Sequence, residues 1–452
     1  MRILMKNIGM VSEADVVVDT ITVIAGENNT GKSTIGKSIY AFLEGLRLVE
    51  QNAETNKIIS IRRQLAPLDS LVVHARFGRN KNNDNKKQSA LLEVAEHIDK
   101  LEMSIYRELE YTGDLIDSVS GKNIKKMISE AQEIERILND KKGVLGDDLY
   151  SRAIQLVENL LEMLQIDAKH ISIKQRSLQR IFDSEFGRKI SSIFAGSEDS
   201  FVKIFSDGIS SEISFVENKV SEKGLKIEHK NESGVIYIDN PFILDDINFD
   251  RFRRKSERYS HKDVLLSRLN VNEEQINLFE ETYNRVKFQE LFDGILDEDL
   301  VFSEGNLVYG DSSKNYAFDA ENLATGLKSF AIIKMLLASG ELADTEMLIL
   351  DEPEIHLHPE WQLRYAELIV LLQVNYGLKV LITSHSPYFV EAIELFSKKH
   401  NISKSVRFYQ TAVEKRSAKI LDVTEQLVLI YNSLAKPYIT LEELRDDVNG
   451  DD

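Results

Sequence analysis

Residues 26–34 read Gly-Glu-Asn-Asn-Thr-Gly-Lys-Ser-Thr. Two glycines bracket a short polar loop, and a lysine and a hydroxyl follow at fixed offsets, the pattern G-x-x-x-x-G-K-[ST]. Glycine lets backbone N–H groups turn inward around phosphate oxygens. The loop Gly26, Asn28, Asn29, Thr30, Gly31, Lys32, Ser33 and Thr34 is therefore expected to cradle a nucleoside triphosphate. Lys32 would reach the β- and γ-phosphates and Ser33 would offer its hydroxyl to Mg²⁺, with the positive end of a helix dipole behind them.

Three further clusters carry chemistry. Met347-Leu348-Ile349-Leu350-Asp351-Glu352 delivers two carboxylates from an apolar strand. Asp351 is assigned to the metal and Glu352 to general-base activation of water, against the competing reading of two solvated acids before a helix. Thr383-Ser384-His385-Ser386-Pro387 follows another apolar run, and its imidazole could contact the γ-phosphate and the attacking water or simply cap a helix. In Asn322-Leu323-Ala324-Thr325-Gly326-Leu327-Lys328-Ser329, Thr325, Gly326 and Lys328 precede an apolar helical run. That is either an anion-binding helix N-terminus or a plain cap. Glu354, His356 and His358 invite a zinc reading, but H-x-H lacks the helical two-histidine spacing and shows no third ligand. A loop role beside the nucleotide is preferred.

These tips need strands behind them. Residues 2–8 and 15–24 are rich in Ile and Val and read as strands, the second running straight into the glycine loop. Helical spacing of Ile35, Ile39, Phe42, Leu43 and Leu46 follows from Ser33 to about Leu48. Two amphipathic helices around residues 124–138 and 153–164 form a hairpin about Gly143 and Gly146, either an inserted arm or part of the core. Strand-like segments return at 212–217, 224–230 and 234–239. The runs 347–350 and 379–383 read as buried parallel strands with functional residues at their C-terminal ends.

Composition narrows the class. The chain has 452 residues, 42% hydrophobic and 29% charged, enough for a sizeable core. It has no cysteine, which removes disulfides and thiolate chemistry. No apolar stretch is long enough to cross a bilayer and the N-terminus lacks signal-peptide character, so a cytoplasmic location without membrane contact is expected. A net charge of −18 does not attract nucleic acid by its overall field. Contact with nucleic acid stays open only through a local patch, Arg251, Arg253, Arg254, Lys255 and Arg258, whose plainer reading is a solvated helix face.

The order of phosphate loop, long insertion, Ala-Thr-Gly-Leu-Lys-Ser, Leu-Ile-Leu-Asp-Glu-Pro-Glu-Ile-His-Leu-His-Pro and Thr-Ser-His-Ser-Pro resembles ABC-type ATPases of the RecF, SMC and overcoming-lysogenisation-defect branch. The resemblance covers residues 1 to about 48 and 300 to about 410. It implies an α/β fold, a split ABC-type ATPase head with a mixed sheet flanked by helices and an inserted helical arm or hairpin. On that plan residues 1–78 form an N-terminal lobe with Walker A, 79–200 the insertion and 201–250 strands completing the head. Residues 251–320 form a helical, basic subdomain, and 321–452 a C-terminal lobe. Lys32, Ser33, Asp351, Glu352 and His385 match Walker A, Walker B and the switch histidine. Leu-Ala-Thr-Gly-Leu-Lys-Ser matches the signature that contacts ATP on the opposite subunit, with Ala324 and Leu327 departing from the usual Leu-Ser-Gly-Gly-Gln.

The implied ligands are ATP and Mg²⁺, and the implied assembly is a homodimer or higher homo-oligomer through the ATP sites. Too few residues follow His385 for a C-terminal TOPRIM nuclease, so an effector, nuclease or toxin, is expected as a separate chain, as in Septu- or PARIS-type anti-phage systems. A RecF- or SMC-like DNA-binding ATPase and an ATP-dependent scaffold remain the alternatives.

Overall fold

The structure, a computed structural model, describes the chain except residues 52, 78–84, 112–120, 167–170, 195–198, 229–233, 248–259, 270–291, 297–299, 304–305, 312–315, 343–344, 415, 437–439, 443 and 446–452. The Arg251–Arg258 run thus lies outside the described residues. Two compact units are present: one of Met1–Arg47, Leu178–Arg253 and Arg258–Asp452, the other centred on Leu48–Ser177.

In chain order the strands are β1 (Arg2–Ile8), β2 (Val11–Val17), β3 (Ile21–Ala25), β4 (Ser200–Ser206), β5 (Ile209–Val216), β6 (Lys219–Lys226), β7 (Gly234–Ile238), β8 (Leu300–Ser303), β9 (Asn306–Asp311), β10 (Tyr316–Asp319), β11 (Thr345–Asp351), β12 (Lys379–Ser384), β13 (Val406–Glu414) and β14 (Ser417–Asp422). The helices are α1 (Lys32–Gln51), α2 (Ala53–Phe77), α3 (Asn85–Tyr111), α4 (Gly121–Asp140), α5 (Lys142–Leu145), α6 (Asp147–Gln165), α7 (Ile171–Phe186), α8 (His261–Leu269), α9 (Thr325–Ala338), α10 (Pro359–Tyr376), α11 (Pro387–Lys399) and α12 (Val428–Leu434).

The first unit is built on one mixed sheet of order β6-β5-β4-β1-β2-β14-β13-β3-β12-β11-β7, with a separate sheet β10-β9-β8. Strands β13, β3, β12, β11 and β7 run parallel. Strands β3 and β7 are buried at every residue, which is why they read as unbroken apolar runs rather than alternating ones. The other flank is antiparallel, from β2 through β1, β4, β5 and β6. There burial alternates along β2 and β5, as a sheet with one covered face requires. A core of β3, β7, β11 and β12 residues with Phe330, Tyr365 and Phe389 lies against helices α9, α10 and α11. The α/β head with a mixed sheet flanked by helices is the observed fold.

One strand expectation needs correction. The apolar run 15–24 is two strands, broken by bends at Asp19 and Thr20. Strand β2 pairs antiparallel with β1, whereas β3 lies between β13 and β12. Val18 donates its amide to Met1 O at 2.9 Å, and Thr20 O accepts from the amide of Val380 at 2.8 Å. The bends thus hand the chain from the antiparallel flank to the parallel one.

The second unit is helical. Helices α4 and α6 carry the amphipathic hairpin, joined through α5, with Gly146 at φ 84°. Ala131, Ile134, Val157 and Leu160 pack with residues of α2 and α3 in a separate core. Lys57 Nζ donates to Leu164 O at 3.1 Å within it.

Candidate active site

The parallel register brings three strand tips into line. Ser384 pairs opposite Ala25, and Asp351 opposite Thr383, so the segments that follow β3, β11 and β12 leave the sheet at one edge. Functional loops at the carboxyl ends of parallel strands sit where helix N-termini also point.

The glycine loop leaves β3 and enters α1 directly at Lys32. Gly31 has φ +85°, and a Cβ there would stand 2.9 Å from Val11 Cγ2. Gly26 has a different reason: a Cβ would stand 1.9 Å from Thr411 Oγ1. Thr411 itself donates to Thr30 Oγ1 at 2.8 Å, and Thr30 donates to Glu27 O at 2.7 Å. Strand β13 therefore braces the loop from behind. Asn28 and Asn29 are exposed and Asn29 is left-handed at φ 60°. Thr34 is the second residue after Lys32 in the helix, and its amide bonds Gly31 O at 3.1 Å.

Lys32 is 3% exposed. Its Nζ donates to Gly26 O at 3.0 Å and Glu27 O at 2.8 Å and lies 3.1 Å from Glu352 Oε1. Ser33 Oγ donates to Asp351 Oδ1 at 3.1 Å. The same Oδ1 accepts a short bond from Thr383, and Oδ2 accepts from Tyr237 OH at 2.9 Å. Four elements thus meet at one carboxylate.

Glu352 adopts φ 52°, outside the ordinary strand and helix regions. Its amide bonds Thr383 O at 3.0 Å, which fixes the turn. His385 Nδ1 stands 3.6 Å from Glu352 Oε2. The His385 imidazole, and behind it the Lys32 ammonium, hold the Glu352 carboxyl down to about 2 against the opposing effect of burial. Conversely, Glu352 raises the pKa of His385. His385 comes just before Ser386, whose Oγ accepts from Phe389 N at 3.3 Å as the cap of α11, with Pro387 in its first turn. A cavity of about 270 Å³ has Asp351, Glu352, Asp239, Phe242, Ser329 and His356 among its walls.

The sequence-derived residues Lys32, Ser33, Asp351, Glu352 and His385 are therefore brought together. The Thr325–Lys328 cluster behaves differently. Thr325 begins α9, and a Cβ on Gly326 would stand 3.1 Å from both His356 O and the Trp361 ring. Lys328 is 2% exposed, ion-paired with Asp245 and bonded to Glu321 O at 2.8 Å. Its amine is committed inside its own chain. His358 caps α10 through Glu360 N, His356 stands edge-on to Phe242, and Glu354 turns inward to Ser384. Among the described residues no group of three His, Cys, Asp or Glu side chains is placed to hold a metal.

Sequence reasoning missed Tyr237, Thr383, Thr411 and a buried group behind Tyr237. His261 of α8 stacks on the Tyr237 ring at 4.4 Å between centroids. It lies 2.7 Å from Glu185 and 3.0 Å from Asp239. Burial alone would lower the His261 pKa, but Asp239 and Glu185 outweigh it and lift it to about 9. Nothing in a single sequence marks these residues, because their partners are distant along the chain.

A site of this kind, with a glycine loop, a buried lysine and a strand-borne acidic pair, defines a nucleoside-triphosphate-binding class. The family model described as an AAA ATPase domain matches residues 1–390, and the chain belongs to that family. No curated protein matches it. Among solved structures it is similar to an SMC head domain from Thermotoga maritima, at 11% identity and TM-score 0.35, covering 93% of this chain and 98% of that one. An Smc head domain with a coiled coil and joint from Pyrococcus yayanosii gives 10% identity and TM-score 0.34, covering 97% and 99%. Among the described residues no helix is long and apolar enough to cross a membrane.

Proposed function

We propose that the chain is a Mg²⁺-dependent ATP hydrolase in which Lys32 binds the triphosphate, Ser33 and Asp351 hold the metal, Glu352 is the base and His385 contacts the γ-phosphate. The observation that carries this reading is the meeting at Asp351, where Ser33 and Tyr237 bond one carboxylate while Lys32 pairs with its neighbour Glu352. The donor set fits the ion: a carboxylate and a hydroxyl are hard oxygens of the sort Mg²⁺ takes alongside waters and phosphate oxygens. The loop fits the triphosphate, since it runs straight into the N-terminus of α1 with the Lys32 ammonium folded against its own carbonyls. When bound, the metal supplies charge neutralisation on the phosphate oxygens.

The protein's own part follows from its contacts. Lys32 exchanges carbonyl and carboxylate partners for phosphate oxygens, which frees Glu352 from its closest cation. Glu352 then keeps only His385 beside it, and loss of the Lys32 pairing raises its proton affinity toward that of a useful base. His385, whose affinity for a proton is raised by Glu352, would face the developing negative charge of the transferred group. Measuring ATP turnover with Mg²⁺ tests this directly. Glu352→Gln should slow turnover by about a hundredfold or more, the scale of removing a positioned base, while ATP remains bound. Turnover at the wild-type level would remove Glu352 from the role.

The finer reading is that two such chains assemble head to head through their ATP sites and control a separate effector, nuclease or toxin, in anti-phage defence. It rests on the resemblance to stand-alone ABC-type ATPases. Within it, Thr325 at the start of α9 is the residue offered to a partner's nucleotide, with Gly326 packed beneath it against His356 and Trp361. Lys328, held by Asp245, serves to brace that segment.

A further inference from the structure

Glu354 has no place in the chemistry above, yet it is built into the site at a cost. It is 3% exposed, and burial pushes its pKa up. One oxygen, Oε1, accepts from Ser384 Oγ at 2.7 Å, His385 N at 2.9 Å and Ser386 N at 3.3 Å. The other, Oε2, is buried with no hydrogen-bond partner among the described residues. His385 Nδ1 is likewise buried without a hydrogen bond and lies 3.5 Å from Glu354 Oε1. Capping of α11 does not need this carboxyl, because Ser386 Oγ already accepts from Phe389 N. A buried carboxyl that gathers three donors from consecutive residues holds one turn in one shape.

We infer that Glu354 is a positioning residue for His385: the segment after β11 grips the segment after β12, and this contact aims the imidazole at Glu352 and the reacting phosphate. The inference rests on the assignment of His385 in the hydrolase reading. The charged groups facing the imidazole are Glu352 and Glu354 from the first segment and Lys32 from α1. Two acids of one segment, separated by Pro353, thus divide the work, Glu352 toward the water and Glu354 toward the histidine. The Glu-Ile-His-Leu-His cluster that suggested zinc in the sequence holds a neighbouring segment instead.

The test compares wild type, Glu354→Ala, Glu354→Gln, His385→Ala and the Glu354→Ala/His385→Ala double variant, all as full chains. Glu354→Ala should lower kcat about tenfold or more, with the KM for ATP within about twofold, and the double variant should be no slower than His385→Ala alone. Glu354→Gln keeps an oxygen for the three donors and should restore kcat to within about threefold of wild type. Losses that multiply in the double variant, or a parallel loss of ATP affinity, overturn the inference. If Glu354→Ala does not fold, NMR of the His385 ring in a Glu354→Asp protein decides. Shortening the side chain by one methylene draws the carboxyl away from the turn and should shift the ring resonances and change which protons lie beside the ring, and an unmoved ring overturns the inference. Wild-type protein that binds ATP without turnover would strike the hydrolase reading alone, and the NMR comparison would still report whether Glu354 sets His385.

Discussion

At the scale of single residues the Lys32 ammonium is already satisfied by two carbonyls and Glu352. On the proposed function, a triphosphate would take over these partners rather than fill a bare charge. Lys32→Ala should remove this exchange and weaken ATP binding about a hundredfold or more, read by calorimetry, since charge-assisted bonds to several oxygens are lost together. Unchanged affinity would contradict the cradle. His261 gives a second expectation, in stability. Its folded pKa of about 9 lies above its ordinary value of 6.5. The stabilisation is therefore fully present below about pH 6.5 and is lost as pH rises through about 9. Denaturant unfolding should show wild type losing about 3 kcal/mol across that window relative to His261→Gln. Parallel pH curves for the two proteins would show that the pairing with Glu185 and Asp239 contributes nothing.

At the scale of elements, the glycine loop depends on β13 as much as on β3. Gly26 is required because Thr411 comes close from the neighbouring strand, a reason unrelated to phosphate. Gly26→Ala should shift the loop and weaken ATP binding about tenfold, in line with an overpacking cost of ~1–3 kcal/mol. Adding Thr411→Ala removes the hydroxyl that a Cβ would meet and should recover part of the affinity, as measured by titration with a fluorescent ATP analogue. No recovery would mean that Gly26 acts through backbone freedom alone. The same interleaving explains the bends at Asp19 and Thr20. A run of Val and Ile satisfies a strand anywhere, and only the partners of β2 and β3 reveal that one run serves two different neighbours.

At the scale of the whole molecule, the two units have separate cores. Leu160 is fully buried in the helical one, among Val157, Ala131 and Ile134. Leu160→Ala should cost about 2–5 kcal/mol in that unit. Hydrogen exchange should then rise over α2, α3, α4 and α6 while the amides of β3 and β12 stay protected. Loss of protection across both units would show one cooperative fold. The net charge of −18 keeps the expectation that any nucleic-acid contact is local rather than a property of the whole surface.

The glycine loop, the acidic pair Asp351–Glu352 and His385 stood out in the sequence because each belongs to a short pattern at the end of a buried apolar strand, and local spacing is what a sequence displays. The α/β class was legible for the same reason. Which strands lie side by side was decided by the tertiary structure, through pairings between residues hundreds of positions apart such as Gly26 with Thr411 or Ser33 with Asp351. So were the burial of Lys328 against Asp245, the support of Asp351 by Tyr237 and the grip of Glu354 on the His385 turn. Each of these is a contact between segments with no local signal, and contacts of that kind exist only once the chain has closed on itself.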